Sequence, residues 1–175
     1  ALIASEMGTG KTIEAIEIFK IWREEVRVTT GLLLPILIVT PQNTFESWLD
    51  KLNKQMPKWN VLVLERTQKG REAFVNAISM FEADVYICNY ESMRVMQERF
   101  TERKFVFSVI CADECHAISN HEALQSKALK KLKTYHKLAM SGTPSGAKPW
   151  KIWSVFNWLW PTYYTSFWKF VGKYC

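Results

Sequence analysis

A run of small residues ending in Gly10-Lys11-Thr12 stands between an apolar stretch and a segment of helical period, which is the arrangement that phosphate requires. Glycines let backbone N–H groups converge on phosphate oxygens, and the start of the following helix adds favourable partial charge. Within Ser5-Glu6-Met7-Gly8-Thr9-Gly10-Lys11-Thr12, the stretch Met7, Gly8, Thr9, Gly10, Lys11 and Thr12 is expected to bind the nucleotide. Lys11 is expected to reach the β and γ phosphates, and Thr12 to place its hydroxyl on Mg²⁺. The general pattern opens with glycine, where this chain has Ser5.

A second group lies at Val109-Ile110-Cys111-Ala112-Asp113-Glu114-Cys115-His116, an apolar run ending in two adjacent carboxylates. One carboxylate at a strand's end can hold the Mg²⁺ of a phosphate-loop site, partly through water, and its neighbour can orient or deprotonate an attacking water. Asp113 takes the metal role and Glu114 the role of base, with Lys11 completing the catalytic set. The nearby Cys111, Cys115 and His116 fit no common zinc-ligand spacing. A third apolar run ends in Ser141-Gly142-Thr143-Pro144, a weak turn signal that gains meaning from following the other two.

Elements must carry these groups to one place. Short β-branched runs alternate with longer segments of helical period, the pattern of repeated βα units in a parallel sheet. Strands are expected at 2–4, 36–40, 61–64, 85–88, 106–111 and 137–140. Helices are expected near 11–23, from Asn43 onward, and near 71–81, 92–100, 122–132 and 150–158. In the first helix Ile13, Ile16, Phe19 and Ile21 or Trp22 should face the sheet. In the second, Asn43 and Glu46 form a candidate capping box ahead of Phe45, Trp48, Leu49 and Leu52. Ligands of such sheets bind at the carboxyl ends of the strands, where all three groups lie.

The 175 residues, 48% hydrophobic, suffice for one core and favour a single domain. Lys and Arg outnumber Asp and Glu by 23 to 17, and the net charge of +6 suits a polyanionic partner without requiring one. Four cysteines without a C-x-x-C pair suggest a reducing, intracellular setting. No stretch reaches the ~18 apolar residues of a membrane span. Because Ala1-Leu2-Ile3-Ala4 already reads as a buried strand, the expectation is a lobe of something longer.

The order of Met7-Gly8-Thr9-Gly10-Lys11-Thr12, Val39-Thr40-Pro41, Asn89-Tyr90-Glu91, Asp113-Glu114-Cys115-His116 and Ser141-Gly142-Thr143-Pro144 resembles motifs I, Ia, Ib, II and III of superfamily-two helicases. Glu6-Met7-Gly8, the helix with Trp48, Asn120 after the acidic box, and the segment from Ile152 to Pro161 leading to Phe167 and Phe170 resemble the Swi/Snf branch. The branch usually has Asp where this chain has Ser5, and Asp-Glu-Ala-His where this chain has Asp-Glu-Cys-His.

The resemblance implies an α/β, three-layer RecA-like P-loop NTPase domain with a mainly parallel sheet, the first of two lobes, spanning residues 1–175. It implies ATP and Mg²⁺ as cofactors, double-stranded DNA as partner, and a second lobe that closes on the nucleotide. His116, Ser141, Gly142 and Thr143 would couple the nucleotide site to DNA, and Gln42, Asn89 and Tyr90 would touch a DNA backbone. A strand-separating helicase, a restriction-system motor, and a nucleotide-dependent binding module without turnover remain alternatives. Five of the eight tryptophans, Trp150, Trp153, Trp158, Trp160 and Trp168, lie near the end; helical spacing of the first three favours packing over a base-stacking platform.

Overall fold

The structure, a computed structural model, describes residues 1–6, 8–64, 67–143 and 148–175. Met7 and Pro144, both part of the motifs above, lie outside the described residues.

Six strands, β1 (Leu2–Ile3), β2 (Ile36–Val39), β3 (Val61–Val63), β4 (Val85–Cys88), β5 (Val106–Ala112) and β6 (Lys133–Met140), form one sheet in the order β1-β6-β5-β2-β4-β3. Every neighbouring pair is parallel. All residues of β2 and β4 are buried, as continuous apolar runs of a sheet covered on both faces should be. The last strand starts at Lys133, four residues before the apolar run, because the polar stretch Lys133 to His136 continues the ladder along Val106 to Val109.

Helices cover both faces. On one side α1 (Lys11–Thr30) and α2 (Phe45–Gln55) pack on Ile36, Ile38, Val109 and Leu138. On the other, α3 (Gln68–Ser79), α4 (Tyr90–Glu102), α5 (Leu124–Lys131) and α6 (Ile152–Leu159) pack on Leu37, Tyr86, Phe107 and Ile110. A final helix, α7 (Phe167–Tyr174), had no counterpart in the periodicity reading. Phe19 and Trp48 stack at 6.1 Å and fix α1 against α2, a contact that contributes about 0.5–1.5 kcal/mol beyond its buried area.

Two local expectations are corrected. The buried stripe of α1 is Ala15, Ile16, Phe19, Arg23 and Val26, while Ile13 and Ile21 are 44% and 67% exposed. Arg23 takes the inner position by bonding Leu34 O at 3.0 Å and Asp84 Oδ1 at 2.7 Å, so its charge is paired where it is buried. At the start of α2 no capping box forms. A single 3-10 turn, Gln42–Thr44, comes first, and Thr44 uses its hydroxyl on Pro41 O and Thr40 Oγ1 instead of on a helix N–H.

Because β1, β6, β5 and β2 are neighbours, the segments that follow them emerge side by side at one edge of the sheet. Among the described residues, no helix is long and apolar enough to cross a membrane.

Candidate functional site

The phosphate loop leaves β1 and enters α1 through Gly10, whose φ of 89° and ψ of 12° lie in the left-handed region that favours glycine. Gly8 has the same handedness, with φ 82°. Lys11 curls back over the loop and donates from Nζ to Ser5 O at 2.7 Å and Glu6 O at 2.6 Å. Thr9 Oγ1 bonds Glu6 O at 2.8 Å and Ser5 Oγ at 3.1 Å, so the serine that replaces the pattern's glycine helps tie the loop to itself.

The carboxylates stand at the end of β5. Asp113 is 9% exposed, its N–H donates to Val39 O at 2.9 Å, and its carbonyl accepts the Tyr90 hydroxyl at 2.6 Å. Its Oδ2 accepts Thr40 Oγ1 at 3.0 Å and Trp48 Nε1 at 2.8 Å, and its Oδ1 accepts the Glu114 N–H at 2.9 Å. Three donors thus hold one carboxylate in one orientation.

The backbone turns sharply at Glu114, which sits at φ 48° and ψ 53°, left-handed for a residue with a Cβ. That turn aims its side chain sideways along the sheet edge. Ser141, fully buried at the end of β6, donates from Oγ to Glu114 Oε2 at 3.2 Å and accepts the Thr143 N–H at 3.1 Å. His116 Nδ1 lies 3.2 Å from the same Glu114 oxygen. Gly142 lies between the two bonded residues and is half-buried. Four of the expected coupling and base residues are therefore joined in one chain of contacts.

Behind this edge the chemistry is quiet. Burial, followed by the charges of Glu114 and Asp113, pushes the Cys115 thiol up to about 12, and burial holds the Cys111 thiol and the Tyr90 hydroxyl well above their usual ranges. These groups stay protonated at neutral pH, and Tyr90 remains a donor to Asp113.

Loop, carboxylates and α2 enclose a cleft of about 520 Å³ lined by Gly8, Lys11, Thr12, Asp113, Glu114 and His116 on one side and by Asn43, Ser47, Trp48 and Lys51 on the other. The cleft offers oxygen donors from the hydroxyls of Thr12, Thr44 and Ser47 and from two carboxylates, a set suited to Mg²⁺, which is held by one or two carboxylates together with substrate phosphates. Thr12 and Asp113 are the donors that fit it. Thr40, Trp48 and Lys51 belong to this arrangement and were not singled out for chemistry in the sequence. The tryptophan after Val39-Thr40-Pro41 was the one available signal.

The residues expected at a DNA backbone are placed differently from one another. Gln42 is half-buried in the turn after β2, and Asn89 caps α4 by accepting the Ser92 N–H at 2.7 Å. Tyr90, only 6% exposed, points inward to Asp113 in place of the outward contact expected of it. The tryptophans divide: Trp153 and Trp158 are buried, whereas Trp150, Trp160 and Trp168 are 41%, 37% and 78% exposed.

The parallel strand order with helices on both faces defines an α/β domain of RecA-like fold. The chain belongs to the SNF2-related domain family, whose profile matches residues 1–174. It is 27% identical over 94% of its length to the ISWI chromatin-remodeling complex ATPase ISW1 of Saccharomyces cerevisiae, and spans 14% of that protein. It is 31% identical over 99% of its length to the putative ATP-dependent helicase/translocase YwqA of Bacillus subtilis, of which it spans 18%. The SWI2/SNF2 ATPase core domain of Sulfolobus solfataricus superposes with a TM-score of 0.75 at 26% identity, over 98% of this chain and 33% of that one. The same core in complex with dsDNA gives a TM-score of 0.76 at 24% identity, over 98% of this chain and 34% of that one, a likeness of fold.

Proposed function

We propose that residues 1–175 form the first of two RecA-like lobes of a motor that hydrolyses ATP with Mg²⁺ and moves along double-stranded DNA. The observation that carries this reading is the phosphate loop facing two adjacent, differently held carboxylates across a single cleft.

Lys11 binds the β and γ phosphates from the loop, and backbone N–H groups at the start of α1 share the negative charge. Its ammonium, which bonds the Ser5 and Glu6 carbonyls, exchanges those acceptors for phosphate oxygens. Asp113 and Thr12 would hold Mg²⁺, which when bound would supply charge neutralisation for the phosphates. Glu114 orients the attacking water and accepts its proton, since its carboxylate faces the cleft while Asp113 is fixed by Thr40 and Trp48. The Ser141 and Thr143 contacts couple that carboxylate to the loop after β6, so a shift of Glu114 moves groups outside the nucleotide cleft. The duplex partner is supported by the +6 charge, by the dsDNA bound to the Sulfolobus relative of like fold, and by Gln42 and Asn89 near the same edge.

Lys11→Ala in the full-length protein should abolish most ATP binding. Glu114→Gln should keep ATP binding and lose turnover by roughly 10²–10⁴-fold, the scale of general-base removal. Turnover of the unaltered protein should rise with duplex length without strand release. Equal loss of affinity in both variants would contradict the role of Glu114, and release of single strands would favour a helicase.

A further inference from the structure

The cleft contains a second lysine that the phosphate-loop chemistry does not use. Lys51 lies one turn beyond Ser47 and Trp48 on α2, so the three share one face, and all line the cleft. The ammonium of Lys51 donates to Thr12 Oγ1 at 3.3 Å, and among the described residues no carboxylate pairs with it. Thr12 is the hydroxyl assigned above to Mg²⁺. Lys11, by contrast, is engaged by the Ser5 and Glu6 carbonyls on the loop's own side of the cleft. The two ammonium groups therefore approach the site from opposite walls, one from α1 and one from α2.

We propose that Lys51 is a second phosphate-binding cation, which holds a nucleoside triphosphate at the Thr12 side of the cleft and reduces the dependence of nucleotide binding on Mg²⁺. This rests on the ATP-binding reading given above. An ammonium and a divalent cation that both use the Thr12 oxygen repel one another, so Lys51 has two effects of opposite sign. It strengthens metal-free ATP binding by charge-assisted contact with phosphate. It also raises the Mg²⁺ concentration needed to form the ternary complex, because the metal must displace it from Thr12.

Equilibrium binding of ATP to the full-length protein, in excess EDTA and across a Mg²⁺ titration, separates these effects. Lys51→Met should weaken ATP binding in EDTA by about tenfold, the loss expected for one hydrogen bond to a charged group. The same variant should reach half-saturation at a lower Mg²⁺ concentration, and Lys51→Arg should behave as the unaltered protein. A variant that loses affinity equally in both buffers, or in neither, overturns the assignment while leaving ATP binding standing. An unaltered protein that binds no ATP in either buffer overturns the proposed function, and this inference with it.

Discussion

Both oxygens of Asp113 already accept hydrogen bonds from the protein, and the two donors on Oδ2 come from opposite ends of the β2–α2 connection, Thr40 and Trp48. The indole therefore has an electrostatic role besides its packing on Phe19. Trp48→Phe preserves most of the buried ring and removes one donor to a buried carboxylate, which should cost about 1.5–3 kcal/mol of stability. Partners that orient a metal ligand alter metal affinity or activity by roughly 10–100-fold when removed, so the Mg²⁺ requirement for turnover should change on that scale. A Mg²⁺ titration showing no change would reduce the indole to a packing group. That Lys11, Thr12, Asp113 and Glu114 come together at one cleft was legible in the sequence because each sits just after an apolar strand. Thr40 and Trp48 were not, since their partner lies 73 and 65 residues away and only the fold brings them together.

At the scale of elements, α1 is held at its far end by Arg23, whose side chain is 7% exposed and reaches Asp84 beside the start of β4 and the Trp59 ring at 5.3 Å. Removing one partner of such a buried pair leaves the other uncompensated; Arg23→Met should therefore lower the unfolding free energy by about 3 kcal/mol. Chemical denaturation of the variant checks this, and a loss below about 1 kcal/mol, the usual worth of an exposed pair, would show that Asp84 is adequately solvated without it. This pair also explains why the face of α1 was misread. Apolar spacing pointed to Ile13 and Ile21, but the buried row continues through a charged residue whose partner is 61 positions away. The six strands were legible because β-branched apolar runs identify buried parallel strands with little help from context. The capping box at Asn43 failed because Thr44 stands at the N-cap with its hydroxyl engaged by Pro41 O and Thr40 Oγ1, a competition decided by how the chain leaves β2. Helix α7 escaped notice because its one buried side chain, Phe170, leaves no stripe to read.

For the molecule as a whole, the distribution of arginine matters most. Arg103 is the last in the sequence, and it bonds Ser79 Oγ at 2.6 Å. Among the described residues, no arginine lines the cleft. Phosphoryl-transfer enzymes gain on the order of 10³–10⁵ in rate from an arginine beside the γ phosphate, so on the function proposed above residues 1–175 alone should hydrolyse ATP slower than the full-length protein by a factor of that order, with little response to duplex DNA. Steady-state turnover of the isolated lobe equal to that of the full-length protein would show that closure by a second lobe is not needed. The sheet order carries a different consequence, one of timing. Strand β1 lies at the edge of the six-stranded sheet and its ladder partner is β6, with Leu2 opposite Ala139 and Ile3 opposite Met140. Pairing so distant in sequence closes slowly, because the chain entropy of a long loop must be lost before any contact rewards it. During synthesis the β2-β4-β5 centre can form while the strand ahead of the phosphate loop still waits for the last strand to emerge. The sheet edge that carries Gly10 and Lys11 is thus among the last parts of this domain to be born, later than the centre on which it rests.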